Sequence, residues 1–209
     1  MDNTLDRFGA RLGRAAALAR DAFAGVAAAT RTCIEDARVR ARFPDVTFGR
    51  GVILRGAERF FPGRAVFIDH GAYLNCSGGE WNKHAGFIRT GDRIEIGPFC
   101  VMWGAGGITL GNNVHIASHV TITAHTSVQI EPHVEDVWEP LKMEFGPVVI
   151  EDNVLVCSNV SIGPGVRIGH HAQVASGSVV LRDVPPYAIV GGAPARVLRS
   201  SMPAGSLSA

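Results

Sequence analysis

Eight histidines and nineteen acidic residues hold most of the proton chemistry available to this chain. Imidazole is the side chain whose ordinary pKa lies close to neutral, so histidine is the first place to look for a general base. Three of the eight fall in one short stretch, NNVHIASHVTITAHTS, as His115, His119 and His125. His70 and His84 come earlier, His133 later, and His170-His171 form a pair. Two chemistries fit such residues. A single neutral imidazole can take a proton from a nucleophile, whereas three imidazoles gathered on a zinc ion can activate water. The four cysteines (Cys33, Cys76, Cys100, Cys157) are scattered with no CxxC pair, which points away from a disulfide framework and toward a reducing cytoplasm.

Which chemistry is possible depends on the elements that carry these residues. Between Ile150 and Val180 an aliphatic side chain recurs at every sixth position: Ile150, Val156, Ile162, Ile168, Val174, Val180. Four residues after each comes a small or β-branched one: Val154, Val160, Val166, Ala172, Ser178, Val184. The same phase runs upstream through Leu110, Ile116 and Ile122, and through Ile68 and Leu74. Small residues follow many of the anchors (Gly97, Gly111, Ala117, Gly163, Gly169, Ala175), with turn-forming residues next. A period of six drifts around an α-helix and is too long for a lone strand. It predicts short strands joined by turns, coiling so that successive turns stack in parallel at roughly 4.8 Å. A narrow prism with an aliphatic interior also explains why only 7% of the residues are aromatic while 25 are glycine.

Two segments break the phase. Residues 76–93 (CSGGEWNKHAGFIRTGDR) hold a glycine pair, Trp81, Lys83 and His84. Farther on, Ile122 and Ile150 are 28 positions apart, which is not a multiple of six, and the intervening HTSVQIEPHVEDVWEPLKMEFGP is acidic and proline-bearing. A solenoid tolerates an excursion at a corner because the coils above and below still stack. Long loops without a pattern of their own are frequent carriers of function.

The segments NNVHIASHVTITAHTS, GPVVIEDNVLVCSNVSIGPGVRIG and ASGSVVLRDVPPYAIVGGAPARVLR resemble the hexapeptide-repeat acyltransferases, and within them the sugar O-acetyltransferase branch with its galactoside, maltose and polysaccharide-modifying members. The resemblance implies a mainly β fold, a left-handed parallel β-helix with an N-terminal helical segment and one long loop excursion. It implies acetyl-CoA as acyl donor with no metal, direct transfer through a tetrahedral intermediate, and a homotrimer whose sites lie between prisms. The family's general base, placed where the chain leaves the β-helix, maps onto His125. The acceptor is assigned to His84, Trp103 and Met143. The donor is assigned to Ser158, Ala175, Ser176, Gly177, Arg182 and Arg196. Arg182 stands where a lysine is usual, Leu181 where a threonine is common, and Leu155-Val156-Cys157 where Trp-Ile-Gly often occurs.

Other classes fit less well. A net charge of +1 advertises neither nucleic acid nor a polycation, and 46% hydrophobic against 19% charged residues suits a folded domain. No apolar run reaches membrane-spanning length, and Asp2 and Asp6 sit where a signal peptide is basic, so a cytoplasmic protein without membrane association is expected. Residues 1–44 read as an amphipathic helical segment, 45–199 as the β-helix with its excursion at about 124–148, and 200–209 as a mobile tail. The alternatives are an amine acceptor, as in nucleotide-aminosugar N-acetyltransferases or serine acetyltransferase relatives, a zinc carbonic anhydrase using His119, His125 and one of His70 or His84, and a non-catalytic scaffold.

Overall fold

The computed structural model describes residues 37–128 and 142–200, and divides the chain into two units at Arg42 and Phe43. In the first unit, residues 37–42 are helical. The helical reading of the preceding residues, the middle of the long loop and the C-terminal tail (201–209) lie outside the described residues.

From Val46 onward the chain winds as the parallel β-helix that the period predicts, with the left hand that the resemblance alone implies. Three sheets form its sides. The first face stacks Val46–Phe48, Val66–Ile68, Ile94–Ile96, Val114–Ile116, Leu155–Val156, Gln173–Val174 and Ala188–Gly191, and the antiparallel Arg196–Ser200 closes it. The second stacks Ile53–Arg55, Tyr73–Asn75, Val101–Trp103, Thr121–Thr123, Ser161–Ile162 and Val179–Val180. The third stacks Phe60–Phe61, Ile88–Thr90, Ile108–Leu110, Val148–Ile150 and Arg167–Ile168, with Val184 bridging onto Ile168.

The six-residue anchors are the core. Ile116, Ile122, Ile150, Val156, Ile168 and Val174 are completely buried, and the intermediate Val154, Val160, Val166 and Ala172 also point inward. Register makes the columns continuous: Ile68 pairs with Ile96, Ile96 with Ile116, Ile116 with Val156, and Val156 with Val174. Side chains of equal type therefore sit one above another, and each coil's backbone donors and acceptors are used by its neighbours.

The three corners differ. Between third and first faces, Arg93, Asn113, Asn153, His171 and Tyr187 occupy left-handed backbone with φ of 55–61°. Between first and second faces, Phe99, His119 and Asn159 do the same at 56–59°. Each is bonded through its N–H to the coil below, as in Asn153 to Asn112 and Asn159 to Ser118. The first–second corner also has Gly51, Gly71 and Gly177 at positive φ, and the corner between second and third faces has Gly56, Gly107 and Gly165. The second–third corner is also where the chain departs from the prism, after Asn75 and again after Thr123. The first departure is shorter than the phase break at 76–93 predicts, because Ile88–Thr90 and Ile94–Ile96 are regular prism strands. Among the described residues no helix is long and apolar enough to cross a membrane.

Ile116→Ala removes a completely buried side chain from the middle of the first-face column, so it is expected to cost about 2–5 kcal/mol. His115→Ala, one residue away and facing outward toward Glu95, is expected to cost under about 1 kcal/mol. Urea unfolding of the two variants measures the contrast.

Candidate functional site

The two departures leave from the same corner, two coils apart, and their side chains meet. The lower one is residues 76–87, with a short 3-10 turn at Glu80–Asn82. Its neck is closed by Gly86 N–H to Ser77 O at 3.1 Å. The upper one begins at Ala124, whose N–H donates to Trp103 O at 2.9 Å and whose carbonyl accepts from Gly146 N–H at 3.1 Å. Beyond this neck, His125–Val128 pairs antiparallel with Lys142–Phe145. Between the two necks lies the third coil's corner, Gly104-Ala105-Gly106-Gly107. A Cβ on Gly106 would collide with Ala124 O, so the glycine lets the upper neck press down on this corner.

His125 is the first residue past the upper neck. Its ring is half-buried between two tryptophans: Trp81 of the lower departure at 5.0 Å between centroids, and Trp103 of the second face at 5.9 Å. Trp81 also stacks on Phe145, the hairpin partner of His125, at 5.8 Å and 7°. Tyr73 continues the aromatic row, 5.5 Å from Trp103. Burial against these rings lowers the His125 pKa from its ordinary 6.5, because the charged form loses hydration. Nδ1 of His125 is buried and has no hydrogen-bond partner among the described residues.

Asn82 holds the lower departure in place with all of its amide valences. Oδ1 accepts from the N–H groups of Gly79 and His84 at 3.0 and 3.1 Å. Nδ2 donates to Ser77 O at 3.1 Å and to Ala105 O on the next coil at 3.0 Å. Arg59 fastens the returning strand from below, donating to Gly86 O and Ala85 O. Gly79 is needed for the indole to lie where it does, since a Cβ there would be 2.5 Å from Trp81 Nε1.

The residues expected to bind the acceptor divide. Trp103 touches His125 directly. Met143 is opposite Ser127 in the hairpin, on the face that His125 and Phe145 share. His84 is exposed on the lower departure, with Nδ1 3.5 Å from Ser77 Oγ, and the residue of that segment that reaches His125 is Trp81. Of the donor residues, Ser158, Ala175, Ser176 and Gly177 share the corner between first and second faces, where Gly177 N–H donates to Ser158 O and Ser118 Oγ lies 3.1 Å from Ser158 Oγ. Arg196 follows Ala195, whose N–H reaches Val179 O, so it belongs to the same end of the prism. Arg182 lies beyond the second face's last strand, exposed. His119 stands at the first–second corner against Phe99, away from the corner that carries His125. Among the described residues no three His, Cys, Asp or Glu side chains are grouped to hold a metal. The sequence reading missed Trp81, Phe145 and Asn82 as site residues; the available signal was an aromatic side chain inside a phase break.

Comparison with known proteins gives these features a context. Residues 147–182 match the bacterial transferase hexapeptide (six repeats) family. The chain is 38% identical over 92 residues to a galactoside O-acetyltransferase of Escherichia coli K12, covering 44% of this chain and 43% of that protein. It is 36% identical over 109 residues to a chloramphenicol acetyltransferase of Klebsiella aerogenes, covering 52% and 51%. The chain thus spans about half the length of these curated relatives. Among solved structures it resembles AntD, an N-acyltransferase from Bacillus cereus crystallised with dTDP and 3-hydroxybutyryl-CoA, with a TM-score of 0.65 at 19% identity over 75% of this chain and 80% of that one. At that identity the likeness concerns the fold.

Two measurements test the geometry. Asn82→Ala is expected to speed amide hydrogen exchange at Gly79 about tenfold while leaving Ile116 unchanged; an unchanged rate at Gly79 would contradict the staple. By NMR titration, the His125 imidazole should have its midpoint below 6.5. Because the unfolded chain then binds that proton more readily, stability falls as pH drops through 6.5 toward the folded midpoint. The segment that matches the bacterial transferase hexapeptide family, residues 147–182, lies within a column of stacked coils that continues on both sides of it.

Proposed function

We propose that the chain is an acetyl-CoA-dependent O-acetyltransferase that acts on a hydroxyl of a sugar or polysaccharide precursor in the cytoplasm, with His125 as general base. The observation that carries this reading is the half-buried imidazole at the excursion neck, whose buried Nδ1 has no partner among the described residues. Similarity to named acetyltransferases supports acetyl as the transferred group.

The chemistry follows from the side chain's state. Desolvation keeps the imidazole unprotonated at neutral pH, which is the form a base needs. It accepts the hydroxyl proton as the oxygen attacks the thioester carbonyl carbon, and the C–O bond forms as the carbonyl π pair moves onto oxygen. When the carbonyl re-forms, the C–S bond breaks and the imidazolium returns its proton to the departing thiolate. The products are the acetyl ester and free CoA, with no covalent enzyme intermediate, so half-buried Cys157 has no role as nucleophile. Ser158, Ala175, Ser176, Gly177 and Arg196 receive the donor along the first–second corner, in a groove completed by a neighbouring prism of a homotrimer, and Arg182 supplies a cation for its phosphates.

Release of free thiol from acetyl-CoA, measured across hydroxyl and amine acceptors, tests the proposal. His125→Ala is expected to lower kcat by about 10²–10⁴-fold while the Kd for acetyl-CoA changes less than about twofold. A variant that turns over at the wild-type rate removes His125 from the chemistry, and turnover confined to amines replaces the hydroxyl acceptor.

A further inference from the structure

We infer that Trp81 is a positioning residue for the base: its indole, carried by the lower departure, covers the His125–Phe145 pair and holds the imidazole against Trp103. This role deepens the proposed function, since it rests on His125 being the base. It gives the lower departure a task, which is to hold a group that belongs to another coil.

The backbone of His125 is fixed by the neck, through Ala124 and Gly146, and by the hairpin. The ring is a separate matter, because a histidine side chain turns about two bonds. Its buried Nδ1 has no hydrogen-bond partner among the described residues. Two large rings bound it instead, Trp81 at 5.0 Å and 43° and Trp103 at 5.9 Å and 70°. Walls at two different tilts leave a flat ring little room to turn.

The two walls are held differently. Trp103 stands on a prism strand, in register with Asn75 on one side and Thr123 on the other. Trp81 lies off the prism, in the short turn, and is placed by its neighbours. Asn82 ties that turn to Ala105 on the next coil, and Gly79 leaves the space that the indole nitrogen takes. Phe145, the cross-strand partner of His125, stacks on the indole at 5.8 Å and 7°. A reacting group seated between fixed walls keeps the geometry on which large rate factors depend. At 46% exposure Trp81 lies outside the aliphatic core, so its loss leaves the columns intact.

The indole also keeps water from one side of the imidazole, and burial is the cause that lowers the His125 pKa. The ionisable groups on the surrounding elements stand apart from the ring. On the hairpin, Glu144 lies opposite Thr126, on the face away from His125, and is paired with Lys142 at 3.2 Å. Glu80, Lys83 and His84 on the turn are exposed, and Tyr73 of the second face lies beyond Trp103. The third coil's corner, Gly104-Ala105-Gly106-Gly107, carries no ionisable side chain.

NMR titration of His125 in the full chain without acetyl-CoA tests this role apart from turnover. In Trp81→Ala the imidazole regains water, so its midpoint should rise from the wild-type value toward 6.5. In Trp81→Phe, which keeps a smaller ring, the midpoint should fall between the two. Unchanged amide exchange at Ile116 and Ile122 shows that both variants keep the columns. The acid limb of the kcat/KM profile should move to higher pH with the midpoint. At about pH 8, where the imidazole is neutral in every variant, Trp81→Ala should still lower kcat about 10–10²-fold because the ring is free to turn. Trp81→Phe should recover part of that loss, and the KM for acetyl-CoA should be unchanged in both. If the midpoint moves as expected but His125→Ala turns over at the wild-type rate, the indole still holds the imidazole and the base assignment falls. If His125→Ala is inactive while Trp81→Ala leaves kcat at pH 8 unchanged, the base stands and the positioning role is overturned. A midpoint that stays in place in both Trp81 variants also overturns it.

Discussion

Register between stacked coils is the constraint on which the rest of this molecule depends. Along the first face the strands of successive coils pair in parallel and without slippage from Val46 to Val190. Because side chains alternate sides with period two, a slip of a single residue would turn a whole column of isoleucines and valines outward. The aliphatic columns and the hydrogen-bond ladder therefore enforce each other. Burial supplies the free energy, and the ladder decides which residues receive it.

That constraint makes the site. Fixed stacking means that segments leaving the same corner on different coils emerge at fixed separations. The second and fourth coils are about 10 Å apart along the prism axis at the spacing of paired strands, a gap that a tryptophan can span. Trp81 crosses it to His125, and the intervening third coil contributes Trp103 from its strand and glycines from its corner. Rigidity comes from the column beneath, while chemical variety comes from what the corner allows to leave.

Much of the fold was legible because its physical rule is local. A six-residue period, with small residues after the anchors, can be read directly from Ile150 to Val180 and again from Leu110 to Ile122. The early coils were harder, since Val46–Phe48 and Phe60–Phe61 are separated from the clear phase by the break at 76–87. At the site, the position of His125 at the excursion mouth was readable from the lost phase together with the family resemblance. Trp81 was not, because its contact with His125 is made by two departures from different coils, and spacing along the chain does not encode which interruptions share a corner. Asn82 was invisible for a related reason: a residue that satisfies four backbone groups looks, in sequence, like any turn asparagine.

The most direct test of the central claim, that acyl transfer happens at the imidazole held between Trp81 and Trp103, is a crystal structure with a non-transferable acetyl-CoA analogue bound. The account predicts the acyl carbonyl at the mouth of the upper neck, leaving about 3–3.5 Å for an acceptor oxygen that also touches the His125 ring. A carbonyl resting at another corner of the prism, beyond reach of that ring, would contradict it.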